Sequence, residues 1–330
     1  MRKNIFVIIM CTALIAIIGQ SAVFAKNAEK EGVTDYFVVP YSKNNNDMVS
    51  DGSINNPFNG LHDAVEKLKI ITKNGMNGDI VVNLRGGKYI LEKTLVFNQE
   101  DSGKNGHTIT YKSAEGESAE IYGAKTADIW SKSTDGTYIA KIGYEFTPQI
   151  VFENDMFGIK ARYPNLNGEY RECYLKSNGF NSDNTRQFYF KSEDLKYSED
   201  QDGMQVCFFA GGNTGVVNWQ MQIFNALNIN FRKREITLPQ NPYMSMGAGS
   251  RFFLQGARRF LDADGEFIYN EKDGTLCYKP YNNDINHADI RFGVLTTLIQ
   301  INGEKDKKAE NIYFENLKIG KTNACEQVST

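Results

Sequence analysis

Three acidic residues alternate at Asp262, Asp264 and Glu266, directly after the apolar pair Phe260 and Leu261. Successive side chains of an extended strand point to opposite faces, so this spacing would set all three carboxyls on one side. Such a cluster could act on a sugar bond or hold a cation. The step Asp264-Gly265 is also a turn signal, and a turn would spread the carboxyls into solvent. Asp262 and Asp264 are carried forward as substrate-binding candidates. A second acidic pair, Glu153 and Asp155, flanks Asn154 near Gly158 and reads as a hairpin tip. A glycosidase pair stands about 5 to 9.5 Å apart across the scissile bond, a geometry that residues two apart on one hairpin rarely supply with distinct roles. Ser198, Asp200, Asp202 and Gly203 imitate part of a calcium loop, but Phe209 stands where that loop needs a bidentate Glu, so a polar turn is expected there.

Aromatic residues make up 12% of the chain, and Trp130, Trp219, Tyr163, Phe252 and Phe253 could stack on sugar rings. Core packing and cross-strand pairing also account for such residues. Trp219 and Tyr163 join Asp262 and Asp264 as substrate-binding candidates. His62, His107 and His287 are scattered, and Cys173, Cys207, Cys277 and Cys325 contain no C-x-x-C pair. No metal site and no cofactor is therefore expected. The four cysteines allow three fully paired connectivities, with buried thiols as the alternative. Phosphate-binding loops, G-x-S-x-G elbows, H-E-x-x-H helices and G-x-G-x-x-G turns do not occur.

The elements that must position these residues are mostly strands. Leu61, Ala64, Val65, Leu68 and Ile71 recur at helical spacing, which predicts a helix over 60–72. A strand is expected at 36–39, and short β runs follow the helix at 80–84, 89–91, 95–97, 109–111 and 120–122, punctuated by glycines. Corresponding strands recur at intervals of about 25 residues, Ile80 with Ile109 and Leu95 with Ile121, as in a solenoid of short-stranded coils. From 129 to 291 the strands are longer and less regular, at 149–153, 187–190, 205–209, 220–231, 235–238 and 276–279. This stretch reads as an antiparallel sandwich-like insertion. Coil strands resume at 298–301 and 312–319. The predicted fold is all-β, with a cap and first coils at 26–128, the insertion at 129–291 and an incomplete return at 292–330.

Composition supports a folded chain: 330 residues with 41% hydrophobic and 23% charged exclude disorder, collagen-like repeats and a polytopic membrane protein. The balance of 37 basic against 40 acidic residues provides no broad positive field, so nucleic acid is not an expected partner. Arg2 and Lys3 precede an apolar run from Ile5 to Ile18, followed by Val23 and Ala25 at small-residue positions. Residues 1–25 are therefore expected to be a cleaved signal peptide that sends the protein outside the cytoplasm, secreted or at the cell surface. The run is shorter than the roughly 20 residues needed to cross a bilayer, so no stable membrane anchor is expected. Cys11 lacks the small preceding residues of a lipoprotein signal.

Longer phrases carry a resemblance. DGSINNPFNGLHDAVEKL at 51–68, LRGGKYIL at 84–91, and EDSG at 100–103 followed by HTITYKS resemble the opening of secreted right-handed parallel β-helix (pectate-lyase-like) proteins. Within that superfamily the chain is most similar to β-helix glycoside hydrolases, including β-xylosidase and fucosidase or xylanase families. KARYPN at 160–165, RFFLQGARRFLDADGEFIYNEKDGTLCYKP at 251–280 and AENIYFENLKIG at 309–320 fall in the same order. The resemblance implies a helical cap, first β-helix coils and an inserted β-sandwich, with acidic catalytic residues on later coils. It transfers no catalytic residue to a position of this sequence. The resulting expectation is the N-terminal portion of an exported carbohydrate-active protein that acts on a polysaccharide or oligosaccharide. A non-catalytic glycan-binding or cell-surface module, or an inactive remnant, is the alternative. The open end of the solenoid is expected to fray, to self-associate through its unpaired strand edges, or to depend on residues beyond Thr330.

Overall fold

The computed structural model describes residues 32–45, 50–166, 173–191, 193–195, 203–214, 218–225, 228–244, 246–282 and 284–324. The expected signal peptide, Cys325 and the turn from Ser198 to Asp202 lie outside them.

The helix occupies Leu61–Ile71 and buries Leu61, Ala64, Val65 and Leu68, the stripe marked by the sequence spacing. Asp63 in its first turn accepts the Asn59 N–H and pairs with Lys67 one turn on, at 3.0 Å. Its buried face joins Val38, Phe58, Val82 and Leu84 in one core.

Among the described residues the parallel strands form three sheets. The first runs in the order Phe58–Asn59, Val33–Val39, Asp79–Leu84, Ile109–Ser113 and Ile312–Glu315. Gly87–Ile90, Ala119–Tyr122 and Lys318–Gly320 make the second, and Leu95–Phe97 with Ile299–Ile301 the third. From Asp79 on, the chain visits the sheets in a constant order: first, second, third, first, second, and, after a long excursion, third, first, second. Equivalent residues stack in register, Ile80 on Ile109 on Ile312 and Tyr89 on Ile121 on Ile319. The Ile80–Ile109 recurrence holds. The expected equivalence of Leu95 and Ile121 does not, because the residue stacked on Leu95 is Ile299. The excursion displaces that partner along the chain, where a search for a short period cannot see it. Phe97, Tyr111 and Phe314 close the core with ring centroids 5.4 to 5.6 Å apart, pairs that each add about 0.5–1.5 kcal/mol beyond area burial.

Among the described residues the excursion is antiparallel apart from one parallel pair, Met156–Lys160 with Glu266–Asn270. An eight-stranded sheet packs around Val151, Phe267, Leu276, Tyr278, Ile290 and Phe292. A five-stranded sheet, in which Arg251–Gln255 is flanked by Gln205–Phe209 and Arg162–Tyr163, shares a core with a four-stranded one. Phe188 of the latter meets Phe252 of the former edge-to-face at 5.2 Å. The single strand expected at 220–231 is two, Met221–Asn225 and Asn228–Asn230, which belong to different sheets. Cys173, Cys207 and Cys277 are buried thiols with no disulfide among them.

Candidate functional site

Arg162–Tyr163 pairs antiparallel with Arg251–Gln255, placing Arg162 opposite Gln255 and Tyr163 opposite Leu254. Beyond that partner strand the chain makes a tight turn at Arg258–Phe260, loops through Leu261 to Gly265, and enters the strand Glu266–Asn270. Glu266 clasps these pieces together. Its side chain is buried; Oε1 accepts the Arg162 N–H at 3.1 Å, and Oε2 accepts those of Asp262 and Ala263 at 3.2 and 3.1 Å. Burial pushes the Glu266 carboxyl above the ordinary Glu range, with the three N–H donors acting in the opposite direction.

This clasp decides between the two readings of the acidic cluster. Asp262 and Asp264 lie in the turn and are exposed, whereas Glu266 begins the strand and is consumed by backbone donors. Asp262 Oδ1 accepts from Asn165 Nδ2 at 2.9 Å. Lys279 Nζ donates to the Asp262 carbonyl at 2.6 Å and lies 4.0 Å from Asp264 Oδ1. The Tyr163 ring stacks on the buried Phe260, centroids 5.9 Å apart and planes 18° from parallel. The structure thus brings Tyr163, Asp262 and Asp264 into one surface patch, completed by Asn165, Phe260 and Lys279. Sequence reasoning missed these last three, although the phrases at 160–165 and 251–280 contain all of them. The patch offers an accessible aromatic face beside an amide–carboxylate pair and an ammonium group, a combination suited to ring C–H stacking with hydrogen bonds to hydroxyls.

Trp219 is elsewhere. It stands 77% exposed in the turn before Met221–Asn225, and among the described residues no contact joins it to the other three candidates. Glu153 and Asp155 face apart. Glu153 is fully buried, its Oε2 accepting from the Tyr278 hydroxyl at 2.7 Å and the Tyr281 N–H at 2.9 Å, while Asp155 is exposed 3.8 Å from Lys321 Nζ. The sequence signal for that burial is Val151, two residues earlier on the same face of the strand. A polar depression of about 750 Å³ lies apart from the patch, lined by residues including Gln99, Ser102, Asn105, Lys308 and Glu310.

Gly265 sets the geometry of the turn. Its φ of 81° is one that L side chains rarely adopt, and a Cβ there would lie 2.2 Å from Cζ of Tyr281, whose hydroxyl donates to the Phe157 carbonyl. Gly265→Ala is expected to cost about 2–3 kcal/mol. A denaturant melt checks this, and an unchanged midpoint would show that the turn relaxes freely.

No protein-family model matches the chain, and no curated protein matches it. Two solved structures do. One, described as "Glycoside hydrolase", is similar with a TM-score of 0.72 at 16% identity, over 88% of this chain and 51% of that one. The other, titled "The complex structure of XylC with xylose", has a TM-score of 0.22 at 12% identity, over 81% of this chain and 34% of that one. The first likeness shows that this chain has a glycoside-hydrolase-like fold and spans about half the length of that structure.

Proposed function

We propose that this chain is the N-terminal portion of an exported carbohydrate-active protein, built on a right-handed parallel β-helix with an inserted β-sandwich. In this reading the patch around Tyr163 and Asp262 binds a neutral oligosaccharide. The constant visiting order of the three parallel sheets and the stacking of Ile80, Ile109 and Ile312 support the β-helix. The shared core around Phe188 and Phe252 supports the sandwich. The observation that carries the function is the accessible Tyr163 ring, backed by Phe260 and flanked by the Asn165–Asp262 pair. A pyranose stacked there would present its hydroxyls to acceptors on Asp262 and Asp264 and to the Lys279 donor.

Hydrolysis, in this proposal, falls to a carboxylate pair outside the chain, since Glu266 is spent on backbone donors and Glu153 is sealed in a core. Calorimetric titration with xylotriose is expected to show binding that weakens roughly tenfold in Tyr163→Ala and in Asp262→Ala. Aryl xylosides, fucosides and galactosides are expected to stay at background. Undiminished binding by both variants would remove the patch as a sugar site. Turnover that disappears in Asp262→Asn or Asp264→Asn would make this turn catalytic instead.

A further inference from the structure

The five-stranded sheet turns Val206, Phe208, Phe224, Phe252 and Leu254 into the core shared with the four-stranded sheet. The alternate residues face the other way, and strand register arranges them in three rows. One row is polar: Asn225, Gln205, Gln255 and Arg162. Its amides are linked, Gln255 Nε2 donating to Gln205 Oε1 at 2.9 Å and Gln205 Nε2 to Asn225 Oδ1 at 3.3 Å. The middle row, Ile223, Cys207 and Phe253, is buried beneath Tyr174, whose ring lies 6.0 Å from that of Phe253.

The remaining row runs Met221, Phe209, Arg251, Lys176 and has a different character. The Arg251 guanidinium rests on two rings, 5.0 Å from the centroid of Tyr174 and 4.9 Å from that of Phe209. Its Nη2 donates to the Asn218 carbonyl at 3.1 Å, which fastens the turn carrying Trp219 to this row. Lys176 is exposed directly opposite Arg251. Like charges in that relation destabilise a strand pair. Elsewhere Lys67, Arg85, Lys88, Arg258 and Arg291 each have a carboxylate within 4.0 Å. Among the described residues Arg251 and Lys176 have none. Two adjacent cations with no counter-charge among the described residues thus share a row with Met221, 47% exposed, and are tied through Asn218 to the turn that carries Trp219, 77% exposed.

We propose that this row binds an acidic oligosaccharide through the carboxylate of a uronate unit. This rests on the carbohydrate reading above for the ligand class only, and concerns a different surface. The planar guanidinium, lodged between two mutually perpendicular rings, retains N–H groups that match a carboxylate fork. Lys176 supplies the second charge, and Trp219 with Met221 provides the apolar cover that the C–H face of a pyranose needs. Occupation by an anion removes the like-charge opposition between Arg251 and Lys176.

The test titrates the chain calorimetrically with trigalacturonate, with xylotriose as the neutral control, at low and high NaCl. Trigalacturonate is expected to bind, and to bind less well as salt is raised. Lys176→Gln, a surface change, is expected to weaken it roughly tenfold while raising the melting temperature of the free chain. Trp219→Ala is expected to weaken it by a similar factor and leave xylotriose binding unchanged. The proposal is overturned if trigalacturonate does not bind, if Lys176→Gln binds it like the parent, or if a sulfated trisaccharide is preferred. Xylotriose binding that is lost in Tyr163→Ala and kept in Lys176→Gln leaves the neutral-sugar patch standing whatever trigalacturonate does.

Discussion

Glu266→Ala is expected to destabilise the chain by about 2–4 kcal/mol, because it strands the Arg162 and Ala263 N–H donors, which each cost about 1–3 kcal/mol when buried without a partner, and takes one of two acceptors from the Asp262 N–H, which also donates to the Phe260 carbonyl. The affected donors belong to Arg162, Asp262 and Ala263. One substitution therefore loosens both sides of the surface patch. A denaturant melt monitored by fluorescence measures the effect, and a midpoint equal to the parent's would show that the carboxylate is not the clasp. The same residue gives a pH dependence of definite sign. Its folded-state pKa is raised above the ordinary Glu value of 4.5, so the folded state holds the proton more tightly than the unfolded chain. The contribution to stability is then full below that value and is lost as pH rises through the folded pKa. Glu266→Gln removes the titration. In melts from acidic to neutral pH the stability of the parent relative to the Gln variant is expected to decline, whatever the carboxyls held low in both chains add as pH rises; parallel curves would mean that Glu266 does not titrate there.

Hydrogen exchange is expected to divide the parallel sheets sharply. Ile299–Ile301, Ile312–Glu315 and Lys318–Gly320 are each paired on one side only among the described residues. Ile301, Tyr313 and Ile319 are about half exposed, whereas Ile80, Tyr89 and Ile121 are buried. Burial of an aliphatic or aromatic side chain contributes roughly 1.5–3 kcal/mol, so the last strands lack the support enjoyed by the earlier ones. In a monomeric sample, amides from 298 to 320 are expected to exchange roughly a hundredfold faster than those from 80 to 122. Self-association, or further strands laid on this edge, should slow them. Equal protection in a monomer would show that the exposed edge is as stable as the interior.

The local signals in the sequence were legible wherever one period governed one element. The stripe from Leu61 to Leu68 located the helix, and the alternation around Ile80 and Ile109 located strands that pair in register. What failed was information carried over distance. Leu95 could not reveal Ile299 as its partner, and the run from Gln220 to Phe231 concealed a change of sheet. The surface patch was half visible for the same reason. Tyr163, Asp262 and Asp264 were recognisable by residue type, but the role of Glu266 depends on an N–H 104 residues away. Type and spacing alone cannot tell a carboxylate that faces solvent from one that holds the backbone.

The pairing of Ala124–Lys125 with Ile290–Gly293 has a consequence for how the chain assembles. Thr94 donates to the Thr297 carbonyl across 203 residues of sequence. Closing so long a loop from an unfolded chain is slow as well as costly. Once the antiparallel sheets have formed, this short pair brings their two ends within about 5 Å of each other, and the effective loop between Thr94 and Thr297 shrinks from about 200 residues to about 35. By the logarithmic dependence on loop length, that saves about 1.6 kcal/mol of chain entropy. Assembly should therefore be ordered, with the antiparallel sheets formed before Ile299–Ile301 finds Leu95–Phe97. A substitution that slows those sheets would then act at a distance, leaving the edge of Ile109–Ser113 bare while the chain waits, and its first symptom would be aggregation during synthesis and not a lower melting temperature.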